Sequence, residues 1–217
     1  AYPALVNMLS SECPIVCKSA REEMGDAIYL VLEAGEMVRT SYAGPGQFVH
    51  VKCGEGLLLR RPISVCSCME DDPADLLSVV FEVRGEGTQW LANRPVGHSV
   101  DVLGLLGNGF SMKPEGRYLL VGGGIGTAPL LLLCKELCRA GVRPDLYVGF
   151  RDASYGMESF VPWCHTIHLA TDSGSEGHHG LVTDLLDVRN YDIVLTCGPM
   201  VMMRGVTKLC ADAGVPC

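Results

Sequence analysis

The chain has 217 residues, 48% apolar and 19% charged, enough for two small domains with packed cores and too apolar for a disordered polymer. Its net charge of −8 lacks the basic footprint of a nucleic-acid binder. No run reaches the roughly 18 consecutive apolar residues of a membrane helix. The start, Ala1-Tyr2-Pro3, has no signal-peptide layout, and the missing initiator Met fits a fragment or a processed start.

The first half reads as β-rich. Ile15–Ser19, Ile28–Glu33, Phe48–Lys52, Ile63–Cys68, Leu77–Val83 and Ser99–Leu103 are short apolar runs separated by turn signals. Two such turns are Ala43-Gly44-Pro45-Gly46 and Glu70-Asp71-Asp72-Pro73. Strands this dense predict a barrel or a sandwich. One short helix fits Thr88–Asn93, with Thr88 as its N-cap.

The period then changes. Tyr118–Val121 is a compact apolar strand running into Gly122-Gly123-Gly124-Ile125-Gly126, and a helix follows over Ala128–Ala140, ended by Gly141. Leu146–Phe150, Ile167–Ala170 and Ile193–Thr196 read as further strands, and Met200–Ala213 as a helix ending at Gly214. Strand and helix in alternation predict an α/β layer with a mostly parallel sheet. The polar stretch Met112–Gly116, carrying Pro114, divides the chain into domains 1–112 and 113–217.

The 11 cysteines are odd in number and mostly lie in apolar segments, as Cys134 and Cys138 do. They read as reduced thiols of a cytoplasmic protein. Cys66 and Cys68 are expected on one face of a strand. No C-x-x-C occurs, so no zinc or iron–sulfur signature is present. His165, His168 and the adjacent His178-His179 read as solvated loop histidines rather than metal ligands. Glu22-Glu23 and Asp71-Asp72 read as solvated turn charges.

Four motifs could carry chemistry, and each has a plainer reading beside it. Gly122–Gly126 can expose backbone N–H groups to a pyrophosphate, or simply turn tightly from strand to helix. Arg61-Pro62-Ile63-Ser64 can offer a guanidinium to a phosphate and a hydroxyl to a ring edge, or be an exposed barrel rim. Gly85-Glu86-Gly87-Thr88, after the strand Phe81–Arg84, can form a phosphate-sized nest or a glycine-rich hairpin. Cys197-Gly198-Pro199-Met200 sits where the carboxyl end of a parallel strand meets a ligand, or is a strand-to-helix connection.

In this order and spacing the four motifs resemble the ferredoxin–NADP⁺ reductase superfamily, over nearly the whole chain. A narrower resemblance lies in Leu59–Ser64, Leu106-Gly107-Asn108-Gly109-Phe110, Val121–Pro129, Thr171–Ser175 and Gly180–Leu186. These segments are similar to the electron-transfer subunit of type B dihydroorotate dehydrogenase.

The resemblance implies a six-stranded antiparallel barrel that holds FAD, followed by an α/β domain that holds NAD. Arg61, Pro62, Ile63 and Ser64 would contact FAD, with Val80, Phe81 and Glu82 along the isoalloxazine through their backbone. Gly87 and Thr88 would hold the pyrophosphate. Gly122, Gly123, Gly124, Gly126 and Thr127, with Cys197, Gly198, Pro199 and Met200, would frame the nicotinamide nucleotide. Nicotinamide C4 would be set against flavin N5 for hydride transfer, so no catalytic side chain and no metal ligand is named.

By the same resemblance, a separate flavin-containing subunit oxidises dihydroorotate in pyrimidine synthesis, within a heterotetramer. A [2Fe–2S] cluster passes its electrons on. The cluster's ligands belong to a cysteine-rich tail that would begin where this chain stops, at Val215-Pro216-Cys217. NAD is favoured over NADP by the family, while Gly149-Phe150-Arg151-Asp152 is ambiguous on that point. Two alternatives stay open: a standalone or differently partnered flavin reductase, and a non-catalytic nucleotide-binding module that regulates a partner.

Overall fold

In the computed structural model, large apolar residues recur at every second position of the first-half strands, so one face of each strand is buried. Cys13 and Ile15, Leu30 and Leu32, Val49 and Val51, Ile63 and Val65, Leu77 and Val79, and Val100 and Val102 all follow this pattern. The structure describes residues 10–20, 27–69, 76–113 and 115–217. The start of the chain, Glu22-Glu23, the turn Glu70–Pro73 with Asp71-Asp72, and Pro114 lie outside the described residues. The described residues fall into two units, which divide between Gly109 and Phe110.

The first unit is a closed barrel of β1 (Ser10–Ala20), β2 (Ala27–Glu33), β3 (Phe48–Val51), β4 (Arg61–Met69), β5 (Leu76–Glu82) and β6 (Ser99–Leu106). Their order is β1-β2-β5-β4-β3-β6, every pair is antiparallel, and β6 returns to β1. Closure removes the sheet edges that would otherwise invite pairing with other chains. A bulge between Val65 and Ser67 breaks the strand alternation at Cys66. Cys66 and Cys68 are both buried, but simple alternation does not place them.

Two short helices interrupt the barrel. α1 (Glu36–Ser41) was not expected from sequence: six residues are too few to display a helical period, although it buries Met37 and Val38. α2 (Glu86–Ala92) begins two residues before the expected start. Gly85 is its N-cap, and Thr88 is the third helical residue rather than the cap. The Thr88 hydroxyl reaches back to accept the N–H groups of Arg84 at 2.9 Å and Gly85 at 3.2 Å.

The second unit carries a parallel sheet of β7 (Tyr118–Gly123), β8 (Asp145–Phe150), β9 (Thr166–Thr171), β10 (His178–His179) and β11 (Ile193–Cys197). The order is β10-β9-β8-β7-β11. Every residue of β7 is buried, as suits an inner strand covered on both faces. Leu119, Val121, Ala170, Val182, Val194, Val206 and Cys210 form one core cluster.

The expected helix Ala128–Ala140 is observed as α3 (Leu130–Arg139), preceded by a 3₁₀ turn over Gly124–Thr127. Pro129 stands at the N-cap of α3, where its missing N–H leaves no donor unsatisfied. α4 spans Met200–Ala213, closed by Gly214 in the left-handed region at φ 70°. His178-His179, expected in a loop, pairs as β10 against Ala170 and Thr171, with both side chains exposed. None of the eleven cysteines is joined in a disulfide, and Cys134 and Cys164 bring their thiols to 3.6 Å.

At the start of β8, Asp145 gathers three donors. Its Oδ1 accepts Thr166 Oγ1 at 2.6 Å and meets His165 Nδ1 at 3.0 Å, and its Oδ2 accepts the Tyr191 hydroxyl at 2.9 Å. Burial pushes this carboxyl up, but the hydrogen bonds from Thr166, His165 and Tyr191 outweigh it and hold the group below the ordinary Asp range. A depressed folded pKa stabilises the fold above the unfolded value and loses that contribution as pH falls through the folded one. Asp145→Asn is therefore expected to cost about 1–2 kcal/mol at neutral pH, shrinking as pH falls below about 4. Thermal unfolding across pH checks this; a cost that does not change with pH would contradict it.

Candidate functional site

In the barrel, the ladder between β4 and β5 stops partway. It runs from Met69↔Leu76 to Val65↔Val79. Beyond that pair each strand keeps only its neighbour on the other side. Arg61–Ser64 pair with β3, as Ser64↔Phe48, Ile63↔Val49, Pro62↔His50 and Arg61↔Val51. Val80, Phe81 and Glu82 pair with Tyr29, Ile28 and Ala27 of β2. The two expected flavin segments are thus the two arms of a fork in the sheet.

The third motif reaches the same arm. The Arg61 guanidinium lies over Gly87 of α2: a Cβ at position 87 would come within 3.0 Å of Arg61 Cζ. Arg61 Nη1 also donates to the Leu59 carbonyl at 2.6 Å. Residues 26 positions apart in sequence therefore meet because Gly87 has no side chain.

The remaining residues of this set divide by burial. Pro62 is exposed and Ser64 half-buried, whereas Ile63, Val80 and Phe81 are buried, so these last three offer mainly backbone. Glu82 Oε2 takes Arg84 Nε at 2.7 Å.

In the second unit, β11 pairs with β7 so that Cys197 faces Gly122. The loops that follow both strands therefore leave neighbouring carboxyl ends, where open α/β sheets bind ligands. The glycines there do different work. A Cβ on Gly126 would sit 2.5 Å from Gly198 Cα and 2.7 Å from the Cys197 carbonyl, both backbone that cannot yield. One on Gly123 would meet Pro199 Cδ at 2.8 Å and Met202 Sδ at 2.6 Å, and one on Gly122 would meet Thr127 Oγ1 at 2.7 Å. Gly124 turns at φ 51° with nothing within 4 Å of a Cβ.

Beneath these glycines, Thr127 is 2% exposed and its hydroxyl has no hydrogen-bond partner. A buried hydroxyl left unpaired fits a site that a polar ligand completes. Burial pushes the Cys197 thiol up, so it stays protonated and is a poor nucleophile or metal ligand. Pro199 and Met200 are exposed at the start of α4. Among the described residues no cluster of His, Cys, Asp or Glu could hold a metal ion, and no helix is long and apolar enough to cross a membrane.

The two sets of expected residues thus assemble locally, one in each unit. Sequence reasoning missed Met202, which touches the sites of both Gly123 and Gly198. Its only sequence signal was the run Met200-Val201-Met202-Met203. Arg151 and Asp152 follow β8 with exposed side chains, and their carbonyls accept Ser173 N at 3.0 Å and Ser175 Oγ at 2.8 Å.

No family model matches the chain. It is 39% identical over 173 residues to the dihydroorotate dehydrogenase B (NAD(+)), electron transfer subunit of Clostridium perfringens, covering 78% of this chain and 68% of that protein. It is 40% identical over 195 residues to the protein of the same name from Bacillus mycoides, covering 86% of this chain and 74% of that one. Among solved structures it is similar to an NADH-dependent reduced ferredoxin–NADP oxidoreductase studied for flavin-based electron bifurcation. That match has a TM-score of 0.83 and 29% identity, over 94% of this chain and 74% of the other. A ferredoxin reductase of carbazole 1,9a-dioxygenase shares the fold, with a TM-score of 0.81 at 20% identity over 99% of this chain and 68% of the other.

Gly126→Ala is expected to destabilise the second unit by about 1–3 kcal/mol, because backbone at Gly198 blocks the new methyl. Gly87→Ala displaces only a flexible guanidinium, so it should leave barrel stability within about 0.5 kcal/mol while weakening flavin uptake. Chemical denaturation beside FAD titration separates the two; a Gly87→Ala protein with full FAD affinity would contradict the assignment of this arm.

Proposed function

This chain belongs to the family of dihydroorotate dehydrogenase B (NAD(+)) electron transfer subunits, and on that premise we propose that its first unit holds FAD and its second holds NAD(H). The observation that supports the flavin site most strongly is the fork at Val65↔Val79, with the Arg61 guanidinium beside Gly87 on one arm.

Bound FAD would supply the redox chemistry, exchanging a hydride equivalent with a nicotinamide and single electrons with one-electron carriers. The chain's own residues bind and orient. Arg61 provides the charged fork for a pyrophosphate, and Gly87 leaves room beside it. The Val80–Glu82 backbone offers N–H and C=O groups to a ring edge, and Ser64 offers a hydroxyl. In the second unit, Gly122–Gly126 and Gly198 present bare backbone to the nucleotide, and Thr127 gains a partner for its buried hydroxyl. No side chain is assigned proton transfer.

The partner in this reading is a flavin-containing subunit that oxidises dihydroorotate, in a heterotetramer of the cytoplasm. A [2Fe–2S] cluster, if bound, would supply one-electron transfer between the partner's flavin and this FAD, and none of the described residues is assigned to hold it. NAD is the preferred nucleotide, and Asp152 is the residue placed to accept a ribose hydroxyl after β8. The full-length protein, loaded with FAD and mixed with such a subunit, should produce NADH from dihydroorotate and NAD⁺, followed by NADH absorbance. NADPH from NADP⁺ should form far more slowly. A flavin-loaded protein that reduces NAD⁺ only with some other dehydrogenase would reject this partner.

A further inference from the structure

Arg60 and Arg61 are neighbours in sequence, yet their guanidinium groups go to different places. Arg61 turns to Gly87 and the Leu59 carbonyl. Arg60 turns to β6 and β3: its Nη2 donates to Asp101 Oδ2 at 2.7 Å, and its Nη1 to the carbonyls of Asp101 at 3.1 Å and His50 at 3.4 Å. The Asp101 carbonyl also accepts the Lys52 N–H at 2.9 Å. One guanidinium therefore ties the residue just before β4 to β3 and, past it, to β6.

The surroundings explain why this tie matters. The connection from β3 to β4 carries Leu58 and Leu59, 96% and 69% exposed, so those side chains do not bury it against the barrel. Asp101 stands opposite Glu12 in the β1–β6 ladder, and like charges facing each other repel. Asp101 Oδ1 is buried without a hydrogen-bond partner. Arg60, with its side chain 26% exposed, supplies the opposing charge. Arg60 is thereby neutralised, while Arg61 forms no ion pair among the described residues.

We propose that Arg60 is a positioning residue for the flavin site: clamped by Asp101 and the His50 carbonyl, it fixes the start of β4 so that the Arg61 guanidinium is held over Gly87, ready for phosphate. The inference rests on the reading of Arg61 and Gly87 as the flavin phosphate site. A lysine in place of Arg60 keeps the charge but loses the planar fork that spans a carboxylate and two carbonyls.

The test is a double-mutant cycle on the full chain, with the FAD dissociation constant read by fluorescence titration and the melting temperature of the flavin-free protein measured beside it. Arg61→Ala should weaken FAD binding, and Arg60→Ala should weaken it about tenfold. In the Arg61→Ala background, Arg60→Ala should add less than about twofold, because its effect passes through Arg61. Arg60→Lys should restore part of the loss. Asp101→Asn, close in shape, is the second variant should Arg60→Ala fail to fold, and it should show the same coupling. Effects of Arg60→Ala and Arg61→Ala that multiply would overturn the clamp, as would unchanged FAD affinity in Arg60→Ala. Unchanged FAD affinity in Arg61→Ala would instead remove the flavin-site reading, and the clamp with it.

Discussion

The constraint on which the barrel unit turns is that β4 pairs with β3 and with β5 over different stretches of its length. From Val65 to Met69 it pairs with β5, and from Arg61 to Ser64 with β3. The bulge between Val65 and Ser67 lies where the change of partner occurs, and bulges bend and twist a strand locally. Two strands that hydrogen-bond at one end and part at the other leave main-chain groups available between them. Such groups are costly to leave unused when buried. Around the fork the sequence supplies a guanidinium, a hydroxyl and a glycine, all carried on elements that the closed barrel holds in register.

Bare backbone is the second recurring device, and it operates by exclusion. Gly87 lets a guanidinium rest on the start of α2, and Gly126 lets two loops touch main chain to main chain. Neither position has a positive φ, so steric clearance rather than backbone conformation is what demands glycine. Gly124 is the opposite case: it needs its left-handed φ of 51° and has open space around it. Adjacent glycines in one motif thus answer to different physical demands.

Much of this was legible in the sequence. The six barrel strands and the main α/β strands announce themselves by apolar runs between turns, and the ends of α3 and α4 by Gly141 and Gly214. What escaped was short or long-range. α1 is too brief to show a period, and β10 is two exposed histidines that count as a strand only because β9 lies beside them. The sequence points to Thr88 as a cap, whereas its hydroxyl serves from the third helical position by reaching back to the N–H groups of Arg84 and Gly85. Each site motif could be read alone only as a turn or a rim. The pairing of Val65 with Val79, and the approach of Arg61 to Gly87, are tertiary facts that no local window contains.

A flavin site and a nicotinamide site on one chain is the reading that these two arrangements support. It is tested most directly by an anaerobic titration of the FAD-loaded full-length protein with NADH, followed by flavin absorbance. One FAD is expected to be retained per chain and to be bleached by a single equivalent of NADH. A well-folded protein that retains no flavin, or whose bound flavin stays oxidised in excess NADH, would contradict it.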